Sequence, residues 1–415
     1  MTYCLHFPPR LRGTIQLPTS KSISARALVI AFLAGRELCV DGLSDCDDTQ
    51  AMLAALRGET SAVDIGPAGT AMRFLTAVFS VTPGERRLTG SQRMLHRPIR
   101  LLVEALQHLG ADIEYEGEEG YPPLRIRGRR LEGGMLSLPA DVSSQYVSAL
   151  LMVAPCLREG LRLRLTGHIA SRPYIDMTLR LMEAFGAEAR WTAADSIEVK
   201  AKPYDCHTPF RVESDWSAAS YWYEMVALSA DRQARIELPG LRFSGLQGDS
   251  AVSGLFRTLG VETTETSAGV ILTKAADGSP AGFPYEVDFS RTPDLAQTLV
   301  CTCVLLGVPF RFTGLESLRI KETDRISALR QELSKMGAQL RVSRQSNLSY
   351  DPAVDGAACS LPPGGVDTYD DHRMAMAFAP AALLLPGLCV NHPEVVSKSY
   401  PHFWRDLEQL GTTLC

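Results

Sequence analysis

The chain has 415 residues, a formal net charge of −5, 45% hydrophobic residues and 21% charged ones. That length predicts two or three domains with sizeable cores, and the mild acidity with dispersed basic residues excludes a surface built wholly for nucleic acid. The opening MTYCLHFPPRLRG has no apolar signal core, and the longest apolar stretch, 374–390, is 17 residues broken by Pro380 and Pro386, so a core helix is expected there rather than a membrane span.

In chain order, the first apolar run is ISARALVIAFLAG from Ile23, entered through Pro18-Thr19-Ser20-Lys21-Ser22 with Arg26 one turn inside. AMLAALRG then stops at Gly58. Gly66-Pro67-Ala68-Gly69 leads into TAMRFLTAVFS from Thr70, and LLVEALQHLGA stops at Gly110. Ser143-Ser144-Gln145 opens SQYVSALLMVA, followed by LRLMEAFGA to Gly186. Asp215 precedes SAASYWYEMVAL, followed by VSGLFRTLGV to Gly260. Asp294 lies in the first turn of PDLAQTLVCTCVLL, and Arg319-Ile320-Lys321-Glu322-Thr323-Asp324-Arg325 precedes the run LRQELSKMGA to Gly337. Asp371-His372-Arg373 opens HRMAMAFAPAALLL, and FWRDLEQLG closes at Gly411.

Two families of run alternate here. One is apolar nearly all round and belongs inside a large fold; the other shows a single apolar stripe, ends in Leu-Gly, Phe-Gly or Met-Gly, and should cover the outside. From Gly110 to Gly411 the terminal glycines recur every 74 to 77 residues, whereas Gly58 stands only 52 before Gly110. Each striped run leads into an alternating stretch such as Ala338-Gln339-Leu340-Arg341-Val342, which reads as a strand. The pattern predicts an α/β protein of six units, each with two helices and several strands, the first shortened. A period this long means domain-sized units, not a solenoid. Ten cysteines show no CxxC pair and no zinc spacing, so buried free thiols in a reducing cytosol are expected.

The chemistry gathers where the helices begin. A helix start offers unsatisfied N–H groups and partial positive charge, which attract phosphate or carboxylate. Thr323 or Asp324 is placed to cap a helix, and a helical start would put Lys321 and Arg325 on one face. A charged helix start is commonly just a solvated surface, but here five others are similarly equipped. Lys21, Arg26, Arg97, Lys321, Arg325, Arg373 and Lys398, converging with those starts, would bind small molecules carrying several negative charges.

These residues resemble the 3-phosphoshikimate 1-carboxyvinyltransferase (5-enolpyruvylshikimate-3-phosphate synthase) branch of the enolpyruvyl transferase family over essentially the full length. The matching stretches stand in family order: 18–22, 66–73, Arg93-Met94-Leu95-His96-Arg97-Pro98, 143–145, Ser171-Arg172-Pro173-Tyr174, Gln247-Gly248-Asp249, Pro293-Asp294, 321–325, 371–376 and Ser397-Lys398-Ser399-Tyr400-Pro401. The resemblance implies a two-domain enolpyruvyl transferase fold with six βαβαββ repeats, three per domain. Residues 1–20 plus 215–415 would form one discontinuous domain and 21–214 the other, with the active site in the cleft between them. It implies transfer of the enolpyruvyl group of phosphoenolpyruvate to the 5-hydroxyl of shikimate 3-phosphate, with Glu322 as proton donor, Asp294 as base and Lys21 as the cation between the substrates. Lys21, Ser22, Arg26, Ser143, Ser144, Gln145, Ser171, Asp294 and Lys321 would hold shikimate 3-phosphate. Lys21, Gly69, Arg97, Gln145, Arg325, Arg373 and Lys398 would hold phosphoenolpyruvate. No cofactor or metal is implied, and a cytoplasmic monomer with no nucleic-acid or membrane partner is expected.

Departures from the family pattern are Pro67 for Asn, Phe74 for Pro, Arg172 for Lys and Ser317 for Asn. Gly69 is expected to leave room for the family inhibitor glyphosate, with Pro67 and Phe74 counting against it. Mutual repulsion of so many cations is expected to hold an empty cleft open. Two other readings are a UDP-N-acetylglucosamine enolpyruvyl transferase and a silent sensor of phosphorylated metabolites. The first expects Lys-Asn at the first helix and a cysteine in the mobile loop, where this chain has Lys21-Ser22 and no cysteine from Ser91 to Arg97. Intact Lys21, Asp294 and Glu322 speak against the second.

Overall fold

The structure, a computed structural model, describes residues 1–35, 39–58, 60–139, 143–205, 209–275, 284–358 and 360–415. The chain folds as two compact units, Thr19–Val212 and Met1–Pro18 with Glu213–Cys415.

In Thr19–Val212 the helices are α1 (Lys21–Leu33), α2 (Asp47–Arg57), α3 (Gly69–Val81), the short α4 (Gln92–Leu95), α5 (Arg100–His108), α6 (Ser144–Val153) and α7 (Arg172–Ala184). Helices α1, α3 and α6 are the all-round apolar runs and are buried almost throughout. A helix inside a core still has to satisfy its hydroxyls, and these return to the preceding turn: Thr76 donates to Met72 O and Ser80 to Thr76 O, both at 2.7 Å. Helix α5 shows the striped pattern, burying Leu102, Val103, Ala105 and Leu106. Two four-stranded sheets run Ala62–Asp64, Gly84–Thr89, Leu124–Gly128, Asp112–Tyr115 and Gly134–Pro139, Leu161–Thr166, Ser196–Val199, Ala189–Ala193. The first two strands of each are parallel, joined by a crossover through α3 or α6, and the rest are antiparallel. The first repeat has only a parallel pair, Phe210–Arg211 with Val40–Asp41, among the described residues. The two strands missing after α2 account for its shortness.

The other unit repeats the plan with α8 (Trp216–Leu228), α9 (Val252–Arg257), α10 (Ala296–Leu305), α11 (Arg325–Lys335), the short α12 (Pro352–Asp355), α13 (His372–Phe378) and α14 (Phe403–Gln409). Two sheets have four strands in the same order. In the third, Thr2–His6 is central and pairs with Leu388–Asn391 on one side and Thr413–Leu414 on the other, so the first strand of the chain completes the last repeat. Around α8 the buried aromatics keep their polar ends paired: Trp216 Nε1 donates to Arg242 O at 3.0 Å, and Trp222 Nε1 to the Tyr400 hydroxyl at 3.2 Å. No helix of the described residues is long and apolar enough to cross a membrane.

The periodic glycines have a conformational reason. Gly110, Gly186, Gly260, Gly337 and Gly411 take φ between 82° and 106°, the left-handed stop that a side chain resists. Gly58, the out-of-step copy, sits at φ −75° and ends its helix in an extended residue.

The cysteine expectation needs correction. Cys4 and Cys389 are joined in a disulfide, because they stand directly opposite on paired antiparallel strands. Cys415 is exposed, and Cys39 and Cys156 are half-buried. Cys46, Cys301 and Cys303 are buried and free as expected. Cys206 and Cys359 lie outside the described residues.

One buried acid stands apart from the site. Glu224, fully buried in α8, is pushed well above the usual carboxylate range by burial, with Thr302 opposing weakly. A raised folded-state value means that its stabilising contribution is complete below about pH 4.3, the ordinary glutamate value, and is lost as pH climbs through the folded value. Glu224→Gln is therefore expected to match the parent in urea unfolding near pH 4 and to become progressively more stable than it as pH rises; an advantage independent of pH would contradict this.

Candidate active site

A charge cluster with Arg325 as its hub lies in the unit containing Glu213–Cys415. Arg325 is the first residue of α11, which Asp324 caps by accepting from Ser327 N at 3.1 Å. Its side chain is only 2% exposed. Nε donates to Asp371 Oδ2 at 2.7 Å, Nη2 to Glu322 Oε2 at 3.0 Å, and Nη1 to Asp294 Oδ1 at 3.2 Å. Asp371 also caps α13, accepting from Arg373 N at 2.9 Å. Arg373 then reaches Asp294 Oδ2 at 2.9 Å and the Tyr221 hydroxyl at 3.3 Å. Lys321 Nζ lies 3.6 Å from Asp294 Oδ1, and Lys398 Nζ 3.8 Å from Glu322 Oε1.

Those neighbours set the protonation. Burial would raise the Asp294 carboxyl, but Arg373, Lys321 and Arg325 outweigh it and hold it well below the usual range. Asp249, with the Ser217 hydroxyl donating to it, is pushed up to about 7 by burial and by the Asp294 charge. Two carboxyls in one unit are thus driven apart, one ionised and one poised near neutrality, an arrangement found at acid–base sites. Among the described residues no group of three or more His, Cys, Asp or Glu side chains could hold a metal ion.

In Thr19–Val212 the groups stand at the starts of α1, α3, α6 and α7. Lys21, the first residue of α1, places Nζ 3.1 Å from Asp48 Oδ2 in the first turn of α2. Gly69 begins α3 under the Arg97 guanidinium, whose Nε is buried without a hydrogen-bond partner among the described residues. Gln145 Nε2 donates to Thr70 Oγ1 at 3.1 Å, tying the start of α6 to that of α3, and Ser143 caps α6 by accepting from Gln145 N at 3.3 Å. Ser144 is the first residue of α6, and Ser22 lies in the first turn of α1, where its carbonyl accepts from Arg26. Ser171, before α7, is held at φ 55°, an uncommon conformation for serine that is concentrated at functional positions. These starts offer N–H groups, hydroxyls and two cations, a surface suited to phosphate and carboxylate.

A sequence profile of the EPSP synthase (3-phosphoshikimate 1-carboxyvinyltransferase) family matches residues 6–60 and 57–407. A 3-phosphoshikimate 1-carboxyvinyltransferase of Bacteroides fragilis is 54% identical over 99% of this chain and 98% of its own length. The chain belongs to the EPSP synthase family. Its fold is that of the EPSP synthase of Acinetobacter baumannii, with TM-score 0.75, 23% identity and all of both chains covered. The enolpyruvyl transferase NikO of Streptomyces tendae is similar at TM-score 0.72 and 16% identity, over 100% of this chain and 98% of that one.

Several residues are not as the family pattern or the sequence suggested. Lys321 precedes α11, at the end of the turn Glu316–Ile320, so it shares no helical face with Arg325; both nevertheless reach the same oxygen of Asp294. Arg26 is 3% exposed and donates to Thr178 Oγ1, Ser22 O, Ser148 Oγ and Tyr174 O, so at least four of its five N–H groups are spent inside its unit. Phe74 lies 5.3 Å beneath the Arg26 guanidinium and supplies an aromatic face where the family usually has proline. Arg172 stacks on Trp191 at 4.1 Å. Arg73 supports the loop, donating to Gly69 O and Pro98 O. His372 stands 3.7 Å from Asp371 Oδ1, too far for a hydrogen bond. The space that a side chain on Gly69 would take is occupied by the Arg97 guanidinium.

Sequence reasoning missed Asp48, Asp249 and Asp371 as partners. Asp249 and Asp371 stand inside matched stretches, and Asp48 opens a helix rich in acids, but nothing along the chain says which cation each one meets. With Asp294, Glu322 and Asp371 set against Lys321, Arg325, Arg373 and Lys398, this cluster carries an excess of one positive charge. The repulsion expected from the bare cations is largely compensated within the unit.

Two outcomes follow. A methyl on Gly69 would lie 2.9 Å from Arg97 Cζ, so Gly69→Ala must displace the guanidinium. Phosphoenolpyruvate binding, read by fluorescence titration, should weaken about tenfold (about 1.4 kcal/mol) with the thermal midpoint little changed; unaltered affinity would contradict the placement of Arg97. As pH rises through about 7, Asp249 ionises beside Arg373. Calorimetry should show sulfate binding weakening about fivefold, roughly 1 kcal/mol from one added charge, and Asp249→Asn should abolish that change.

Proposed function

We propose that this chain transfers the enolpyruvyl group of phosphoenolpyruvate to the 5-hydroxyl of shikimate 3-phosphate and releases phosphate. Membership of the EPSP synthase family supports that reading. The observation that carries the chemistry is Asp294, a half-buried carboxylate kept ionised by Arg373, Lys321 and Arg325.

Every cation of this cluster is engaged by a carboxylate, and Glu322 is held by Arg325 and Lys398. A carboxylate so held is a poor proton donor. The carboxylate and phosphate of phosphoenolpyruvate are better partners for Arg325, Arg373 and Lys398, because an arginine fork meets their oxygens in pairs. As the substrate draws on those cations, Glu322 gains affinity for a proton and can deliver it to C3 of the enol. The same competition makes Asp294 a stronger base. The 5-hydroxyl attacks C2 as positive charge develops there and loses its proton to Asp294. Glu322, now a carboxylate, removes a proton from C3, the C2–O bond to phosphate breaks, and phosphate departs beside Lys21. Ser143, Ser144, Gln145 and Ser171 with Ser22 would cradle shikimate 3-phosphate; Gly69, Arg97 and Gln145 would add to the phosphoenolpyruvate clamp. Arg26 serves that cradle as a strut, with at most one N–H for the ligand.

A phosphate-release assay tests the reading. Release is expected with phosphoenolpyruvate plus shikimate 3-phosphate and not with phosphoenolpyruvate plus UDP-N-acetylglucosamine. Asp294→Asn should lower kcat by about 10²- to 10⁴-fold, the range for a lost general base. Release with the nucleotide sugar alone, or parental turnover in the variant, would overturn it.

A further inference from the structure

The third sheet of the larger unit carries three cysteines in one row. Cys4 lies on the central strand, Thr2–His6, with Cys389 opposite it on one side. On the other side stands Cys415: Cys4 N donates to Cys415 O and Cys415 N to Cys4 O, both at 3.0 Å. Side chains directly opposite each other share a face of the sheet, and this face is the outer one, because the alternate residues Leu5, Leu388 and Val390 are buried in the core. Cys4 spends both backbone groups on Cys415, so its pairing with Cys389 is the narrow, non-hydrogen-bonded kind in which side chains stand closest. That is why the disulfide joins Cys4 to Cys389 and leaves Cys415 as an exposed free thiol.

We propose that the row Cys389–Cys4–Cys415 is a thiol–disulfide exchange site. Cys4 sits between the other two, so the attacking and leaving sulfurs approach it from opposite sides, the arrangement that displacement at sulfur requires. The Cys415 thiolate attacks Cys4 Sγ and forms a Cys4–Cys415 bond. The Cys4–Cys389 bond breaks, its electron pair goes to Cys389 Sγ, and that thiolate takes up the proton Cys415 gave up. No oxidant or reductant is consumed. The spacing of a hydrogen-bonded cross-strand pair, about 5.5 Å between Cα atoms, lies within the range a disulfide spans. The exposed Cys415 is also the member that a low-molecular-weight thiol would meet first. The cross-link on the first strand thus passes from one neighbouring strand to the other.

The test is peptide mapping of the full chain purified without reductant. The protein is held at about pH 8, near the ordinary thiol value, then acid-quenched, alkylated with N-ethylmaleimide, digested without reduction and analysed by mass spectrometry. Both Cys4–Cys389 and Cys4–Cys415 linked peptides are expected, approaching a constant ratio with time. Cys389→Ser should leave only the Cys4–Cys415 link and Cys415→Ser only the Cys4–Cys389 link, with phosphate release unchanged because neither residue belongs to the candidate site. A parent protein that gives only the Cys4–Cys389 link at every time, or no link to Cys4, overturns the proposal whatever the variants do.

Discussion

A single buried guanidinium organises the acidic half of this molecule. Arg325 offers a planar fork to Asp371, Glu322 and Asp294 at once. A charge taken out of water this completely is tolerated only if its donors are spent on good acceptors, and removing one partner of such a set costs about 3–5 kcal/mol. The acceptors are not neighbours by accident. Asp371 caps α13, and Asp294 stands in the turn before α10, so each acid already answers the positive end of a helix. Arg325 begins α11 and closes the circuit between them. The carboxylates suit the starts of α10 and α13, whereas the Arg325 cation at the start of α11 opposes that helix's positive end and depends on those carboxylates.

The other unit solves a similar problem without carboxylates at its centre. Arg26 is caged by hydroxyls, backbone carbonyls and an aromatic ring, and burial brings it down to about 10. It binds α1 to α6 and α7 and so positions Ser22, Ser144 and Ser171 at their starts. The groups left at these starts are mostly short, hydroxyls and helix N–H groups, with Lys21 beside Asp48 and Arg97 over Gly69 as the cations. A short, well-anchored set discriminates by shape, while the charged network of the larger unit can exchange its partners. The same repeated scaffold thus carries two different devices, a caged guanidinium in one unit and a carboxylate–guanidinium network in the other.

Much of this was legible in the sequence because it is local. Left-handed glycines recur with the repeat, apolar runs declare which helices are interior, and the charges around Lys321 to Arg325 mark a helix start. Asp324 caps where its position said a cap could be. What was not legible depends on pairings made at long range. Lys21 with Asp48, Arg325 with Asp371 and Asp294 with Arg373 join residues 27, 46 and 79 apart, and no periodicity encodes them. The same holds for Cys4 and Cys389, separated by 385 residues yet opposite each other in one register. Arg26 illustrates the same point: a cation in a motif reads as ligand-facing, and only packing shows that it also bonds Thr178 and Ser148.

If Arg325 holds the proton-transferring acids in place, and is not simply one more cation for the substrate, its geometry should matter more than its charge. The decisive measurement is steady-state kinetics of Arg325→Lys with phosphoenolpyruvate and shikimate 3-phosphate, kcat resolved from KM. Lysine keeps the charge but cannot reach three carboxylates in one plane. The account predicts that kcat falls at least about a hundredfold, roughly 2.7 kcal/mol, because Glu322 and Asp294 both lose their orientation. A raised KM for phosphoenolpyruvate with kcat preserved would contradict it and reduce Arg325 to a binding group.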